Sequence, residues 1–328
     1  MVRGVEGWVM DQRRFVEAFL PTGFGRNARL ERIAALIDWA PLEALVRQVR
    51  PGETGRPPYR ALAMLRALLL QQWYGLSDPG LEEALSDRVS FRRFCGLALE
   101  EPTPDETTLC RFRLALVKAG LGDALFAEVS RQLETAGFMV KAGTLIDASL
   151  VQATVRQPPN GSSPMGQESR SPHDPDANWT RTACGTKRFF GYKVHVGVDQ
   201  GSGIIRSRTV TPAKVYESEV ADDLVIGDEK AVYADKAYEK RARHETLKAR
   251  GIKDRIQHRR VRGQPALPPW QAIRNKLIGR VRTAVERTFS ELKRGPYGFV
   301  RMRYRGLTRC RLHFDLSVIA YNLRRAAG

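Results

Sequence analysis

The sequence predicts an α/β domain, residues 141–328, preceded by an all-helical domain, residues 1–140. Three observations predict it. Apolar residues recur at helical spacing before residue 140. From Gly143 the period shortens to that of strands, and Pro265, Pro268 and Pro269 then break the chain ahead of two long basic helices. A length of 328 residues fits two such domains. With 42% hydrophobic and 27% charged residues the chain supplies both a core and a solvated surface, which excludes disorder and collagen-like structure.

The elements follow in order. Leu62, Leu65, Leu68 and Leu69 trace one helical face over residues 59–72, with Pro57 and Pro58 just before it. Thr103-Pro104-Asp105-Glu106 reads as a helix start, with Thr103 capping, Pro104 first in the helix and Glu106 closing a capping box. Gly120 punctuates before a helix over 123–135. Residues 144–151 form a short apolar run whose only charge is Asp147, and residues 156–190, rich in Pro, Gly, Ser, Asn and Asp, read as a long polar loop. Along 192–199, Tyr192, Val194, Val196 and Val198 alternate with Lys193, His195, Gly197 and Asp199, giving an apolar and a polar face. The turn 200–203 leads into residues 204–211, so the two runs make a hairpin. A helix around 217–226, a short strand over 231–234, a helix over 236–249 and basic helices over 271–294 and 307–325 complete the chain.

The formal net charge is +18. Residues 1–140 carry 18 basic and 18 acidic side chains, residues 141–240 carry 13 of each, and residues 241–328 carry 23 against 5. The excess lies wholly in the last quarter, where it self-repels unless a polyanion is present, so nucleic acid is the expected partner. Membrane spanning is excluded, since the most apolar stretch, 61–70, is short and holds Arg66. The N-terminus lacks a secretory signal, and Cys95, Cys110, Cys184 and Cys310 are too scattered for a disulfide or zinc framework, so a cytoplasmic protein is expected. Serine or cysteine nucleophilic catalysis finds no motif, and Gly23-Phe24-Gly25 is too slight for a nucleotide loop, so no nucleotide cofactor is expected.

Three acids stand out by position. Asp147 interrupts an apolar strand, Asp235 ends another at the edge where α/β sheets place ligand-binding groups, and Glu286 is one of five acids in the basic quarter. Singly, each reads as a capping or salt-bridging carboxylate. On the helix 271–294, however, Ile278, Val281, Val285, Phe289 and Leu292 form an apolar stripe, and Arg282, Glu286 and Lys293 form a narrow one beside it. Glu291 points to the far side. Carboxylates converging at strand ends and a helix edge suit Mg²⁺, which keeps several waters and needs few protein ligands. Two such ions about 4 Å apart activate a water or a 3′-hydroxyl and stabilise the leaving oxygen of a phosphodiester. Beside a polyanion-binding surface, that means phosphoryl transfer on nucleic acid.

These residues also carry a resemblance. The order Asp147, Asp235, Glu286, with Arg282, Glu286 and Lys293 at steps of four and seven, resembles the DDE transposases of bacterial insertion sequences, most of all the insertion-sequence-five group of the insertion-sequence-four superfamily. LIDASLVQA, GYKVHVGVD, VYADKAY, VERTFSELKR, RYRGL and FDLSVIAYNLRR carry it in the second domain. PPYRALAMLRALLLQQWYGLSDPGLEEAL carries it in the helical one. The resemblance implies an RNase H-like catalytic domain, with Asp147, Asp235 and Glu286 as catalytic residues holding two Mg²⁺, for which Mn²⁺ can substitute. It implies cleavage at terminal inverted repeats of double-stranded DNA, joining of the freed 3′-hydroxyl to target DNA, and a homodimer or larger assembly, associated with the bacterial nucleoid when bound to DNA. Arg282 and Lys293 would contact phosphates near the cleaved end. Gly279 stands where the family has Tyr, so that residue's role does not carry over. Lys187, Lys193, Arg111 and Arg113 are further candidate DNA contacts, and His195 and Asp199 candidate auxiliaries to the acids. An RNase H-like nuclease that does not join strands, and a catalytically silent DNA-binding descendant of a transposase, are the alternatives.

Overall fold

The computed structural model describes residues 21, 23–49, 59–156, 171–181, 188–260 and 263–328, and the contacts within it divide the chain between Leu121 and Gly122. The first unit is helical: α1 (Ala28–Leu36), α2 (Ala40–Val46), α3 (Ala61–Tyr74), α4 (Asp78–Asp87), α5 (Val89–Cys95) and α6 (Glu106–Ala119). Helix α3 is its centre, buried on nearly every side, and its Leu65, Leu68, Leu69 and Leu70 are almost wholly enclosed. Helix α6 starts two residues later than its sequence suggests. Asp105, not Thr103, is the cap, its carboxylate accepting from the Thr108 amide at 2.6 Å. The helix ends at Gly120, whose φ of 64° is open to glycine at little cost.

The second unit opens with α7 (Leu121–Thr135), which the sequence places with the helical domain. It joins the later unit because Arg208 reaches both Asp123 at 2.8 Å and Asp315 at 2.9 Å and lies over the Phe126 ring at 4.0 Å. The strands are β1 (Thr144–Gln152), β2 (Asn178–Arg181), β3 (Arg188–Asp199), β4 (Ile205–Pro212), β5 (Ala231–Ala234) and β6 (Lys253–Ile256). They run in the order β4-β3-β1-β5-β6, with β2 also pairing with β3. Strand β3 is antiparallel to β1 and to β4, while β5 and β6 are parallel to β1 and β5 respectively. One antiparallel strand set among parallel ones, flanked by helices, is the RNase H-like arrangement.

Three readings change. The expected loop 156–190 contains β2, which pairs with the start of β3, so the polar composition hides a hairpin arm. Strand β3 has no solvated face: Lys193, His195 and Asp199 are buried with the valines, because a central strand is covered on both sides. The expected helix 217–226 is a single turn, α8 (Glu217–Val220), continued as a 3₁₀ turn, and the next one is split into a 3₁₀ turn at Lys236–Tyr238 and α9 (Arg241–Ala249). On one sheet face Ile146, Val232, Ala234, Tyr238, Leu247 and Ile256 share a core. The long helices are α10 (Pro269–Arg294) and α11 (Leu307–Ala326). Asn322 of α11 both donates to the Ile205 carbonyl and accepts from its amide, fixing α11 to the edge strand β4.

Candidate active site

Strand β1 pairs with β5 only at Thr144 and Leu145, opposite Val232 and Tyr233. Beyond them β5 ends at Ala234 while β1 runs on, and among the described residues the next backbone pairing on this edge of β1 is the bridge of Gln152 to Arg301. A notch is left along residues 146–151. Asp235 follows directly on β5, two residues beyond the last β1–β5 pair as Asp147 is on β1, and its charge acts on the Asp147 carboxyl. The Asp235 carboxylate accepts from the Ala237 amide, which turns the chain sharply out of the sheet.

Helix α10 closes the notch along its length. Ile278, Val285, Phe289 and Leu292 are buried as its apolar stripe requires, whereas Val281 is only half-buried. Beside that stripe Arg282 brings a guanidinium nitrogen 3.3 Å from Asp147 Oδ2. Farther along, Lys293 Nζ donates to the Leu150 carbonyl of β1 at 3.2 Å. Glu286 lies between these two anchors, one turn or about 6 Å along the axis from Arg282, on the same helix face and exposed. Glu291 is instead paired with Arg325 at 3.4 Å. Gly279, three residues ahead of Arg282, offers room: a Cβ there would meet only Gln257, at 3.5 Å.

The notch is electrically unusual. Burial raises the Asp147 carboxyl to about 6; the Arg282 cation and the Ala148 amide oppose this, and the nearby charges of Glu217 and Asp235 add to it. Burial also lowers the Lys293 ammonium. The Tyr238 hydroxyl and Arg282 Nε are buried with no hydrogen-bond partner among the described residues. Among the described residues no three acidic, imidazole or thiol groups stand close enough to cage an ion. Two neighbouring carboxylates, one of them held partly protonated by its surroundings, nevertheless fit a hard cation that keeps most of its waters, since such an ion discharges the pair.

The remaining candidates lie elsewhere or are committed to other partners. Lys193, nearly buried, donates to the Val215 carbonyl at 2.9 Å and stands 3.5 Å from Glu217, so it is not presented to a phosphate. His195 is buried against Thr211 at 2.9 Å, on the opposite sheet face from Asp147, and burial pushes its imidazole down to about 3. Asp199 accepts from the amides of Val140 and Lys141 and from Ser202, at the far end of β3 opposite Thr144. It organises a turn and is no auxiliary to the acids. Arg113 is buried and bonded to Asp78 at 3.0 Å, while Arg111 is exposed. Lys187 lies outside the described residues. The thiols of Cys95 and Cys310 are buried and pushed up to about 12, which removes them as nucleophiles. Glu217 and Tyr238 are not singled out by the sequence. An acid at a helix start and an aromatic in a short apolar run are commonplace, so neither gives a signal of its own.

A family model described as a transposase DDE domain matches residues 139–323, more than half of the chain and the whole of the notch. The chain belongs to the transposase DDE-domain family. A second model, a transposase domain of the DUF772 type, matches residues 20–114. The transposase is therefore an enzyme, of a family of metal-dependent polynucleotidyl transferases and endonucleases acting on DNA. Among solved structures, the cryo-EM structure of a piggyBac transposase synaptic complex with hairpin DNA is similar to 89% of this chain over 71% of its own, at 12% identity and a TM-score of 0.42. Among the transposase's described residues no helix is long and apolar enough to cross a membrane.

Proposed function

We propose that the chain is the transposase of an insertion sequence of the insertion-sequence-five type, which binds the element's terminal inverted repeats, cleaves there, and joins the freed 3′-hydroxyl to target DNA. Asp147, Asp235 and Glu286 would hold the divalent cations, Mg²⁺ by the hardness of three carboxylates. What supports this reading is the contact of Arg282 with Asp147 at 3.3 Å, on the helix whose next turn carries Glu286, together with the charge of Asp235 acting on Asp147. Bound there, two cations supply a Lewis acid for the attacking oxygen and charge stabilisation for the leaving one.

The chain's own side chains account for the rest. Arg282 keeps the Asp147 carboxylate aligned and its charge offset until the cation arrives. Beside Glu286, Arg280, Arg287 and Arg294 recur at steps of seven on the exposed side of α10, a row of cations spaced to follow a phosphate backbone. In cleavage a water oxygen bonds to phosphorus as the 3′-oxygen leaves with a proton. In joining that 3′-oxygen bonds to a target phosphorus, whose own 3′-oxygen leaves. Each step exchanges one P–O bond for another, so no nucleotide cofactor is consumed. The protein works as a dimer or larger assembly on two DNA ends.

The test uses Asp147→Asn, Asp235→Asn and Glu286→Gln. Each keeps binding to the element's end and loses Mg²⁺-dependent cleavage. Cleavage at the wild-type rate by any one removes that residue from the site. Wild-type cleavage of ends without joining of a pre-cut end to target DNA supports a plain nuclease instead.

A further inference from the structure

Over its first turns α10 is held from within by polar groups and carries apolar side chains outward. Arg274 donates to the carbonyls of Asp254 at 2.8 Å and Ile256 at 2.6 Å, both on β6. Asn275 accepts from the His258 amide at 2.8 Å and donates to the His258 carbonyl at 3.0 Å, while Gln257 donates to the Asn275 carbonyl at 3.0 Å. These bonds fasten the helix to β6 and to the residues that follow it. Trp270, Ile273 and Leu277 are 60%, 62% and 56% exposed, and Trp270 meets the His258 ring edge-on with centroids 5.2 Å apart. A helix that anchors itself through polar groups and leaves three large apolar side chains in water presents them to a partner.

The surrounding charge selects that partner. Between Asp254 and Glu286 the sequence holds eight Lys and Arg and no acid. Arg255, Arg259, Lys276 and Arg280 are exposed on β6, on the segment after it and on the helix. A second copy docked about a two-fold axis on this face would bring the same positive charge against it, and like charges repel. A polyanion is attracted instead. Ile273 stands seven residues before Arg280, and Trp270 seven before Leu277. The apolar patch therefore lies on the same side of α10 as the row Arg280, Arg287 and Arg294, and continues it toward the start of the helix.

We propose that the outward face of the first turns of α10 docks on double-stranded DNA, with Trp270, Ile273 and Leu277 set against bases in a groove and Lys276 and Arg280 on the phosphates beside them. The proposal rests on the reading of the α10 cation row as a surface that follows DNA. The cations hold a duplex of any sequence, whereas the apolar side chains gain only where the groove and its base steps admit them. This part of the helix therefore senses DNA sequence or shape, which a row of phosphate contacts does not.

Titration of the full chain with duplex DNA carrying the element's end, over a range of salt, tests this without cleavage. Ile273→Ser/Leu277→Ser is expected to bind about tenfold more weakly with the wild-type salt slope, because it loses apolar contact and no phosphate. Lys276→Ala instead lowers the slope by about 0.9. The emission that Trp270→Phe removes reports Trp270 itself, and DNA is expected to quench it. Melting temperatures within about 1 °C of wild type are expected for substitutions at exposed positions. A marked fall in the double variant would make the stripe part of the core and overturns the proposal. Should the double variant fail to fold, the Trp270 emission and the Lys276→Ala slope decide. Wild-type affinity in the double variant, a lowered slope in it, an unchanged slope in Lys276→Ala, or Trp270 emission that DNA leaves unaltered overturns the proposal, provided Arg287→Ala lowers the slope. An assembly in DNA-free solution that the double variant dissociates assigns the face to a second copy and overturns it too. A wild-type slope in Arg287→Ala overturns the cation row itself.

Discussion

Arg282 of the long helix α10 stands 3.3 Å from the carboxylate of Asp147 on β1, tying together residues that are far apart in sequence but share one notch of the sheet. The pairing sets the charge of the site. Burial pushes the Asp147 carboxyl up to about 6, and Arg282 is the cation that opposes the rise.

Arg282→Gln should therefore move the pH profile of end cleavage. Removing the cation takes away a lowering influence, so the Asp147 carboxyl rises further and its ionised form appears at higher pH. A displacement of the acid limb upward by about one unit is expected, with about twofold less cleavage at pH 7, close to tenfold less at about pH 5, and recovery at pH 8.5. A uniform loss at every pH would assign Arg282 to phosphate contact alone.

Without metal, Asp147 should destabilise the fold above its own pKa. Its folded value, about 6, lies above its ordinary one, so between about pH 4 and 6 the native chain binds more protons than the unfolded chain. Stability then falls as pH rises through that window and levels off above it. Asp315, buried beside Arg208 and also raised to about 6, acts in the same direction. Each contributes at most about 3 kcal/mol. Asp147→Asn should remove its share of the decline, melting higher than wild type at pH 8 in chelator. A lower melting temperature there would contradict the burial assigned to Asp147.

In the helical unit, Arg113 and Arg111 should part company. Arg113→Ala leaves Asp78 without its buried partner and Gln71 with a lost bond, and should cost about 2–4 kcal/mol of stability. Arg111→Ala should leave the melting temperature within about 1 °C, since surface substitutions rarely matter. If either arginine reads the element's end directly it is Arg111, and a titration of end DNA with the two folded variants distinguishes them.

The exposed row on α10 should govern salt dependence. Replacing Arg287 with Ala should reduce the slope of log affinity against log salt by about 0.9, as for one phosphate contact, and Arg280 should behave alike. Arg274 on the same helix should not. It is spent on the carbonyls of Asp254 and Ile256, so Arg274→Ala should lower stability and leave the slope unchanged.

Much of the fold is legible in the amino-acid order alone. The strands around Asp147 and Asp235, the hairpin after residue 192 and the two terminal helices all carry a period that local sequence writes directly. Strand β6, reading Lys-Asp-Arg-Ile, escapes such a reading because its few residues show no alternation and its pairing is with the separate strand β5. The helix start at Asp105 is ambiguous in sequence because Thr103 and Asp105 are equally good caps by composition, and only backbone geometry chooses between them. Lys193, His195 and Asp199 look like a polar face because alternation records side and not depth. Each of these groups finds a partner within the fold: Lys193 in the segment after β4, His195 on β4 itself and Asp199 at a turn.

Local sequence therefore suffices for the order of helices followed by strands, the location of the positive charge, and the three acids proposed as the DDE set, since period, composition and motif spacing are local or additive properties. Which charges are available and which are spent is settled by tertiary contacts alone. Strand β5 stops two residues after its first pairing with β1, α10 crosses the resulting notch with Arg282 on Asp147 and Lys293 on the β1 backbone, and Tyr238 is buried with its hydroxyl unanswered among the described residues. Burial and pairing depend on which distant segments meet. That is a sum over the whole fold, which no single stretch of sequence contains.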